Sequence, residues 1–262
     1  MKHSAVADFI SGWLKNYVGT SSSRGFVVGI SGGIDSALTS TLCARTELPV
    51  LCVEMPIHQD PLQVSRARNH VAWLKEHFAN VSSATTDLSD TFDVMAAGLP
   101  RVEAEHTQML ALANLRARLR MSCLYYYAGI HSMLVAGTGN KVEDFGIGFY
   151  TKYGDGGVDL SPIADLTKTE VYAIAAELGV IREILEAKPT DGLWGDNRSD
   201  EDQIGATYPE LEWAMEFDSS GSPESELNGR QREVLSIFRR MHKANRHKME
   251  PIPVCVIPSE LR

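Results

Sequence analysis

The stretch FVVGISGGIDSA, residues 26–37, decides the fold. An apolar, largely β-branched run leads into Ser31, Gly32, Gly33, Asp35 and Ser36, and the helix-compatible run Ala37-Leu38-Thr39-Ser40-Thr41-Leu42 follows directly. An ordinary turn needs one glycine and one polar residue. Two adjacent glycines let the backbone turn tightly and bring bare N–H groups close to an anion. A helix N-terminus adds partial positive charge at the same place. Ser31 and Ser36 offer hydroxyl donors. Asp35 is the odd member, because a carboxylate in a phosphate cradle repels phosphate unless a cation stands between them, which points to Mg²⁺. The pattern is not the P-loop, since GxxxxGK[ST] is absent. A glycine turn followed by an Asp- or Ser-capped helix is the alternative.

Outward from this stretch the chain alternates. PVLCVEMPI (49–57) reads as a second strand, and Asp60-Pro61 as the N-cap and first residue of a helix carrying Val64, Ala67, Val71, Leu74 and Phe78 on one face. A weaker strand lies near 80–87, helices run through 103–130, and MLVAGT (133–138) is a buried strand. Strands alternating with amphipathic helices predict one α/β domain over residues 1–262: a doubly wound parallel sheet with helices on both faces. In that architecture a ligand binds beyond the carboxyl ends of the strands, where strand order reverses.

With 262 residues, 44% of them hydrophobic, the chain has material for a full core. At the N-terminus Val6, Phe9, Ile10, Trp13 and Tyr17 fall on one helical face and Asp8 interrupts them, so the segment reads as an amphipathic helix and not a signal peptide. No run has the length of a membrane span. The four cysteines (Cys43, Cys52, Cys123, Cys255) form no CxxC pair. A reducing, cytoplasmic setting without membrane is expected. The net charge of −9 is local: residues 189–226 hold eleven acids against Arg198 alone, and residues 230–248 hold seven Arg or Lys against Glu233. The global charge therefore identifies no partner, and solvated surface explains both segments equally well.

GISGGIDSA resembles the pyrophosphate loop of the N-type ATP pyrophosphatase superfamily, whose members cleave ATP between the α- and β-phosphates. Later segments narrow the resemblance to the NAD synthetases: NLRARLRM (114–121), GTGNKVEDFGIGFYTKYGDGGVDLSPIADLTKTE (137–170), KPTDGLWGDNRSDEDQIG (188–205) and RHKMEPIP (246–253) match that family's blocks in order. The resemblance implies an adenine-nucleotide α-hydrolase-like fold and a C–N-forming ligase. Such an enzyme amidates deamido-NAD⁺ with ammonia through an acyl-adenylate, giving NAD⁺, AMP and pyrophosphate. It implies ATP contacts at Gly29, Ile30, Ser31, Gly32, Gly33, Ile34, Asp35, Ser36, Thr138, Lys168 and Thr190, with Asp35 and Lys168 catalytic. Deamido-NAD⁺ contacts fall on Arg118, Lys152, Asp159, His247 and Lys248, and Mg²⁺ ligands on Asp35 and Glu143. A homodimer that binds no nucleic acid and a lid over 189–205 complete the set. One departure stands out: the spacing from Glu143 to the Thr151-Lys152 pair is a residue longer than usual, which leaves Asp144 as a substitute for Glu143.

The residues themselves add constraints. On a 3.6-residue helix, Gln108, Leu112, Leu115, Leu119, Cys123 and Tyr126 form one stripe, with Asn114 and Arg118 on one flank and Arg116 and Arg120 on the other. Arg116 and Arg120 are expected in solvent or in ion pairs. Thr167-Lys168-Thr169-Glu170 is a capping box that sets Lys168 in the first turn of a helix. Asp35 is expected at an exposed loop end, dispensable to the fold. About 30 residues precede the motifs and 14 follow them, too few for a glutaminase domain with its own core. Cys43, Cys52 and Cys123 occupy positions of inert thiols and Cys255 has no base beside it, so free ammonia is the expected nitrogen donor. Two other classes share the first loop. A tRNA-thiolating enzyme usually wants paired cysteines and a basic RNA surface, and a nucleotide sensor has no use for the later blocks.

Overall fold

The computed structural model describes residues 1–187, 189 and 199–262. Four strands, β1 (Phe26–Gly29), β2 (Val50–Glu54), β3 (Val81–Thr85) and β4 (Leu134–Val135), form one parallel sheet in the order β3-β2-β1-β4. The chain moves outward from β1 to β3 and returns on the other side of β1, so strand order reverses there. Register pairs Val27 with Leu51 on one side and with Val135 on the other. Nearly every residue of β1 and β2 is buried, as strands covered on both faces require.

One face of the sheet (Phe26, Val28, Val50, Cys52) packs under α1 (His3–Thr20), α2 (Ile34–Ala44), α3 (Pro61–His77), α6 (Lys168–Glu177) and α7 (Arg182–Leu185). The other (Val27, Leu51, Val53, Val135) packs on α5 (Glu105–His131), which follows α4 (Ser89–Gly98). A second apolar cluster joins α8 (Asp200–Ile204), α9 (Tyr208–Ser220) and α10 (Gly229–Met249) to a single π-helical turn at Val142–Ile147. The expected doubly wound parallel sheet is present.

Three local expectations need correction. The buried side of α1 is Ala7, Ile10, Ser11, Leu14 and Val18, while Phe9, Trp13 and Tyr17 face out. A stripe of smaller residues shares the aromatic stripe's period, and the smaller one fits against α2 and α6. On α5 the inward residues are Ala113, Ala117 and Ala128, with Leu112, Leu115, Leu119 and Cys123 half-buried and Tyr126 exposed. Alanines permit the close approach: a Cβ on Gly154 would stand 2.8 Å from the Ala117 Cβ. The strand read at 133–138 is a two-residue ladder, continued by a bridge from Ala136 to Leu160. The chain leaves the sheet at Gly137, whose N–H donates to Leu160 O at 2.7 Å and whose Cβ, were there one, would meet Val158 at 2.8 Å.

α3 locks onto α2 through a polar contact inside the core. His70 is fully buried, its Nε2 lies 2.9 Å from Ser40 Oγ, and Ser40 Oγ donates to Ser36 O at 2.8 Å, just behind the glycine loop. Burial pushes the His70 pKa from 6.5 down to about 4. A depressed histidine pKa contributes stability that is whole above the unfolded value and lost as pH falls toward the folded one. Between pH 7 and pH 4 the parent should therefore lose about 3 kcal/mol more unfolding free energy than His70→Gln, measured by urea titration. Parallel declines would contradict the buried neutral imidazole.

Candidate active site

The loop after β1 has the geometry its glycines imply. Gly32 adopts φ +81°, and a Cβ there would come within 2.6 Å of Gln63 O, because the first turn of α3 packs against the loop. Ser36 Oγ donates to Gly33 O at 3.0 Å and lies 3.1 Å from Ser31 Oγ, while Ser31 Oγ accepts from Gly33 N at 3.2 Å. The serines thus brace the turn. The N-cap of α2 is Gly33, with no side-chain cap, which sets aside the capped-helix alternative and leaves the helix's first N–H groups for a ligand.

This loop forms one wall of a cavity of about 280 Å³ at the point where strand order reverses. All of residues 29–36 line it, together with Thr138, Glu143 and Lys168. The capping box is as read: Thr167 Oγ accepts from Glu170 N, and the Glu170 carboxylate accepts from Thr167 N. It holds Lys168 in the first turn of α6 with only 3% of its surface exposed. The ammonium donates to Asp35 Oδ2 at 2.5 Å and Glu143 Oε1 at 3.0 Å. Asn140, fully buried, completes the junction. Its amide donates to Asp35 Oδ1 at 3.1 Å, and its carbonyl oxygen accepts the N–H groups of Val142 and Glu143. Tyr208 donates to Glu143 Oε1 at 2.5 Å.

Two carboxylates and one ammonium carry a net charge of −1. Burial raises the Asp35 pKa, which Lys168 opposes and Glu143 reinforces. Burial also penalises the Glu143 charge, but Lys168 and the Tyr208 hydroxyl outweigh it and hold this carboxyl below its ordinary value. Lys168 is disfavoured by burial and held charged by its two partners. Asp35 is therefore not at an exposed loop end: its side chain is 17% exposed and shares a buried cation. Its removal would leave Lys168 with half its compensation.

Hard oxygen donors beside a phosphate-type loop suit Mg²⁺, which takes one or two protein carboxylates and fills its remaining positions with water and phosphate. Among the described residues no group of three or more His, Cys, Asp or Glu forms a self-contained metal site, so any such ion would share its ligands with a bound phosphate. Glu143, not Asp144, shares the Lys168 ammonium with Asp35. The Asp144 carboxylate lies over the Gly139 backbone, where a Cβ would meet Oδ2 at 2.0 Å. Burial, then Glu143, Asp155 and Asp35, push its pKa up to about 8. Glu143 and Asp144 both lie in the π-helical turn at Val142–Ile147, a geometry with more residues per turn than an α-helix.

The residues assigned to the dinucleotide are only partly gathered. Arg118 donates to Lys152 O at 3.3 Å, and Lys152 Nζ to His247 O at 2.5 Å, forming one exposed cluster outside the cavity. Asp159 accepts from Tyr125 at 3.0 Å and from Val135 N at 2.9 Å. The Lys248 ammonium is committed to Gly148 O and Tyr150 O, at 2.9 and 2.7 Å. Thr190 and most of the expected lid lie outside the described residues.

Arg120 is the main correction. Instead of meeting solvent or an acid, it reaches inward to Met55 O at 3.0 Å and Gln59 Oε1 at 2.6 Å, and it lines the cavity. Burial lowers its pKa to about 10. Arg116 stacks on the Phe92 ring, 4.3 Å from its centroid. Sequence reasoning missed Arg120 because it placed the inward stripe of α5 on the leucines. The alanines at 113 and 117 carried the signal. Asn140 and Tyr208 were missed as well, although Asn140 stands inside the quoted GTGNK.

A family model described as NAD synthase matches residues 6–252. An NH(3)-dependent NAD(+) synthetase of Archaeoglobus fulgidus is 37% identical over 258 residues, covering 97% of each chain. One of Syntrophomonas wolfei is 34% identical over 265 residues, covering the whole of both. Among solved structures, an NMN synthetase from Francisella tularensis superposes with a TM-score of 0.83 at 27% identity, covering 99% of each chain. An NH3-dependent NAD synthetase from Campylobacter jejuni has a TM-score of 0.78 at 24% identity, covering 98% of this chain and 100% of that one, a likeness of fold.

The two arginines should separate experimentally. Arg120→Ala removes charge-assisted hydrogen bonds from a buried site and is expected to lower Tm by roughly 4–8 °C while raising KM for the ligand of this cavity. Arg118→Ala, at an exposed site, should leave Tm within about 1 °C of the parent. Equal melting shifts would reject the inward reading of Arg120.

Proposed function

The chain belongs to the NAD synthase family, and from that membership we propose a mechanism for the ammonia-dependent synthesis of NAD⁺ that this ligase carries out. The observation that carries it is the convergence of Asp35, Glu143 and Lys168 on one cavity beside the glycine loop.

ATP lies with its β- and γ-phosphates on the loop 29–36 and the N-terminus of α2. Asp35 and Glu143 would hold Mg²⁺, which would supply charge neutralisation on the phosphates. Lys168 exchanges its carboxylate partners for phosphate oxygens as the nucleotide enters. The nicotinate carboxylate of deamido-NAD⁺ is already ionised at neutral pH, so no general base is needed to make it a nucleophile. It attacks the α-phosphorus, and the loop receives the leaving pyrophosphate. Ammonia then attacks the acyl-adenylate and AMP departs. The protein's work is positioning and charge neutralisation. Arg118, Lys152 and His247 offer an anion and a dinucleotide an exposed polar cluster. Thr138 lies at the carboxyl end of the strand beside the loop, within reach of the same phosphates.

No thiol competes as an amide-transfer nucleophile in this scheme. Cys43 and Cys52 are buried, burial raises both pKa values, and Cys52 reaches about 12. All four thiols are unpaired, in keeping with a cytoplasmic setting. Among the described residues no helix is long and apolar enough to cross a membrane. A homodimer is supported by the exposed large apolar side chains of α4 and α5, Val94, Met95, Met109, Leu110, Tyr126 and Ile130. Exposed apolar surface of this kind favours burial against a second copy.

The likeness to an NMN synthetase makes the deamido-mononucleotide the competing substrate. Purified protein given ATP, Mg²⁺ and ammonium should form NAD⁺ and AMP in equal amounts from deamido-NAD⁺, release little AMP without it, and show a lower kcat/KM with the mononucleotide. At fixed total ammonium the rate should rise from neutral to mildly alkaline pH, as free ammonia increases. Lys168→Met should lower kcat/KM by roughly a hundredfold or more. Preferential use of the mononucleotide, or AMP release indifferent to the acyl acceptor, would contradict the assignment.

A further inference from the structure

Tyr208 is the first residue of α9, fixed there by the Thr207–Glu210 capping box. Its ring is 3% exposed and packs in the second apolar cluster with Val142 and Leu211. A tyrosine so placed must find a partner for its hydroxyl. That hydroxyl leaves the apolar cluster on the cavity side and meets Glu143 Oε1 at 2.5 Å and Asp200 Oδ2 at 3.3 Å. A phenol has one proton to donate. The short contact assigns it to Glu143 and leaves Asp200 the weaker acceptor.

Lys168 donates to the same Glu143 oxygen, and its ammonium stands 4.8 Å from the centre of the Tyr208 ring. Two donors of different kinds therefore converge on Oε1. The lysine is held by a flexible four-carbon stem and is the donor that bound phosphate would draw away. The tyrosine is held by a packed ring at a capped helix start and has no such freedom. Of the two donors on Oε1, the hydroxyl is the one that remains once the ammonium turns to phosphate. We propose that Tyr208 is a positioning residue for Glu143, its hydroxyl fixing that carboxylate toward the cavity while Lys168 serves the nucleotide. The inference rests on the assignment of Glu143 as a metal ligand under the proposed function.

The test uses the full chain carrying Tyr208→Phe, which keeps the ring and its packing. Mn²⁺ binding in the presence of α,β-methylene-ATP, read from the EPR signal of free Mn²⁺, is expected to weaken by roughly tenfold, the scale of a lost partner to a metal ligand. The Mg²⁺ concentration for half-maximal NAD⁺ formation should rise by a similar factor, while KM for deamido-NAD⁺ and kcat at saturating Mg²⁺ stay close to the parent. Leu211→Met, a volume-conserving change in the same cluster, should leave Mn²⁺ affinity unchanged. Parental Mn²⁺ affinity in Tyr208→Phe, an equal loss in Leu211→Met, or failure of the phenylalanine variant to fold would each overturn the positioning role. A parent enzyme that forms NAD⁺ yet binds no Mn²⁺ beside the analogue would instead remove the metal assignment, and the inference with it. A parent that binds Mn²⁺ while the phenylalanine variant binds it equally well would remove the Tyr208 role alone.

Discussion

One buried ammonium organises this molecule. Lys168 comes from a helix start far along the chain from the glycine loop and is almost wholly excluded from solvent. A lone cation in that position would be prohibitively unstable, so it must hold Asp35 and Glu143 within hydrogen-bond distance. Asp35 belongs to α2, Glu143 to the π-helical turn and Lys168 to α6. The charge requirement therefore ties three elements from the first and second halves of the chain to one point. Removing one partner of such a cluster typically costs about 3–5 kcal/mol, because the others stay buried and uncompensated.

The same constraint fits the proposal that an anion arrives here with a cation. The cluster is left one negative charge in excess, next to a helix N-terminus that no side chain caps. A metal-bound nucleotide, as proposed, would supply both what the carboxylates lack and what the helix end and lysine can use. Strand order reverses at β1, so the loop opens where no crossover helix covers the sheet's end. Sheet topology, helix start and ion cluster thus converge on one cavity.

Much of this was legible in the residues. The strand-glycine-helix transition at 26–37, the capping box at Thr167–Glu170 and the Asp60-Pro61 helix start each reflect local chemistry that tertiary packing does not overrule. Asp35, Glu143 and Lys168 could be named because their blocks match a family pattern, though spacing alone does not show that they touch. What escaped depended on which side of a helix faces in. α1 and α5 each carry two stripes of similar period, and the smaller residues won because they permit closer approach to the core. That choice hid Arg120, whose partners are a backbone carbonyl and an amide and not the acid that charge reasoning seeks. Asn140 and Tyr208 act through hydrogen bonds across more than 60 residues of chain, beyond any local pattern.

The central claim is that Lys168 stands between carboxylates that serve a metal-bound nucleotide. A crystal structure of the protein soaked with Mg²⁺ and α,β-methylene-ATP tests this most directly. The account predicts a metal ion in contact with Asp35 and Glu143, phosphates on residues 31–36, and the Lys168 ammonium moved onto a phosphate oxygen. Nucleotide bound in the cavity with Lys168 still bridging both carboxylates, and no metal beside them, would contradict it.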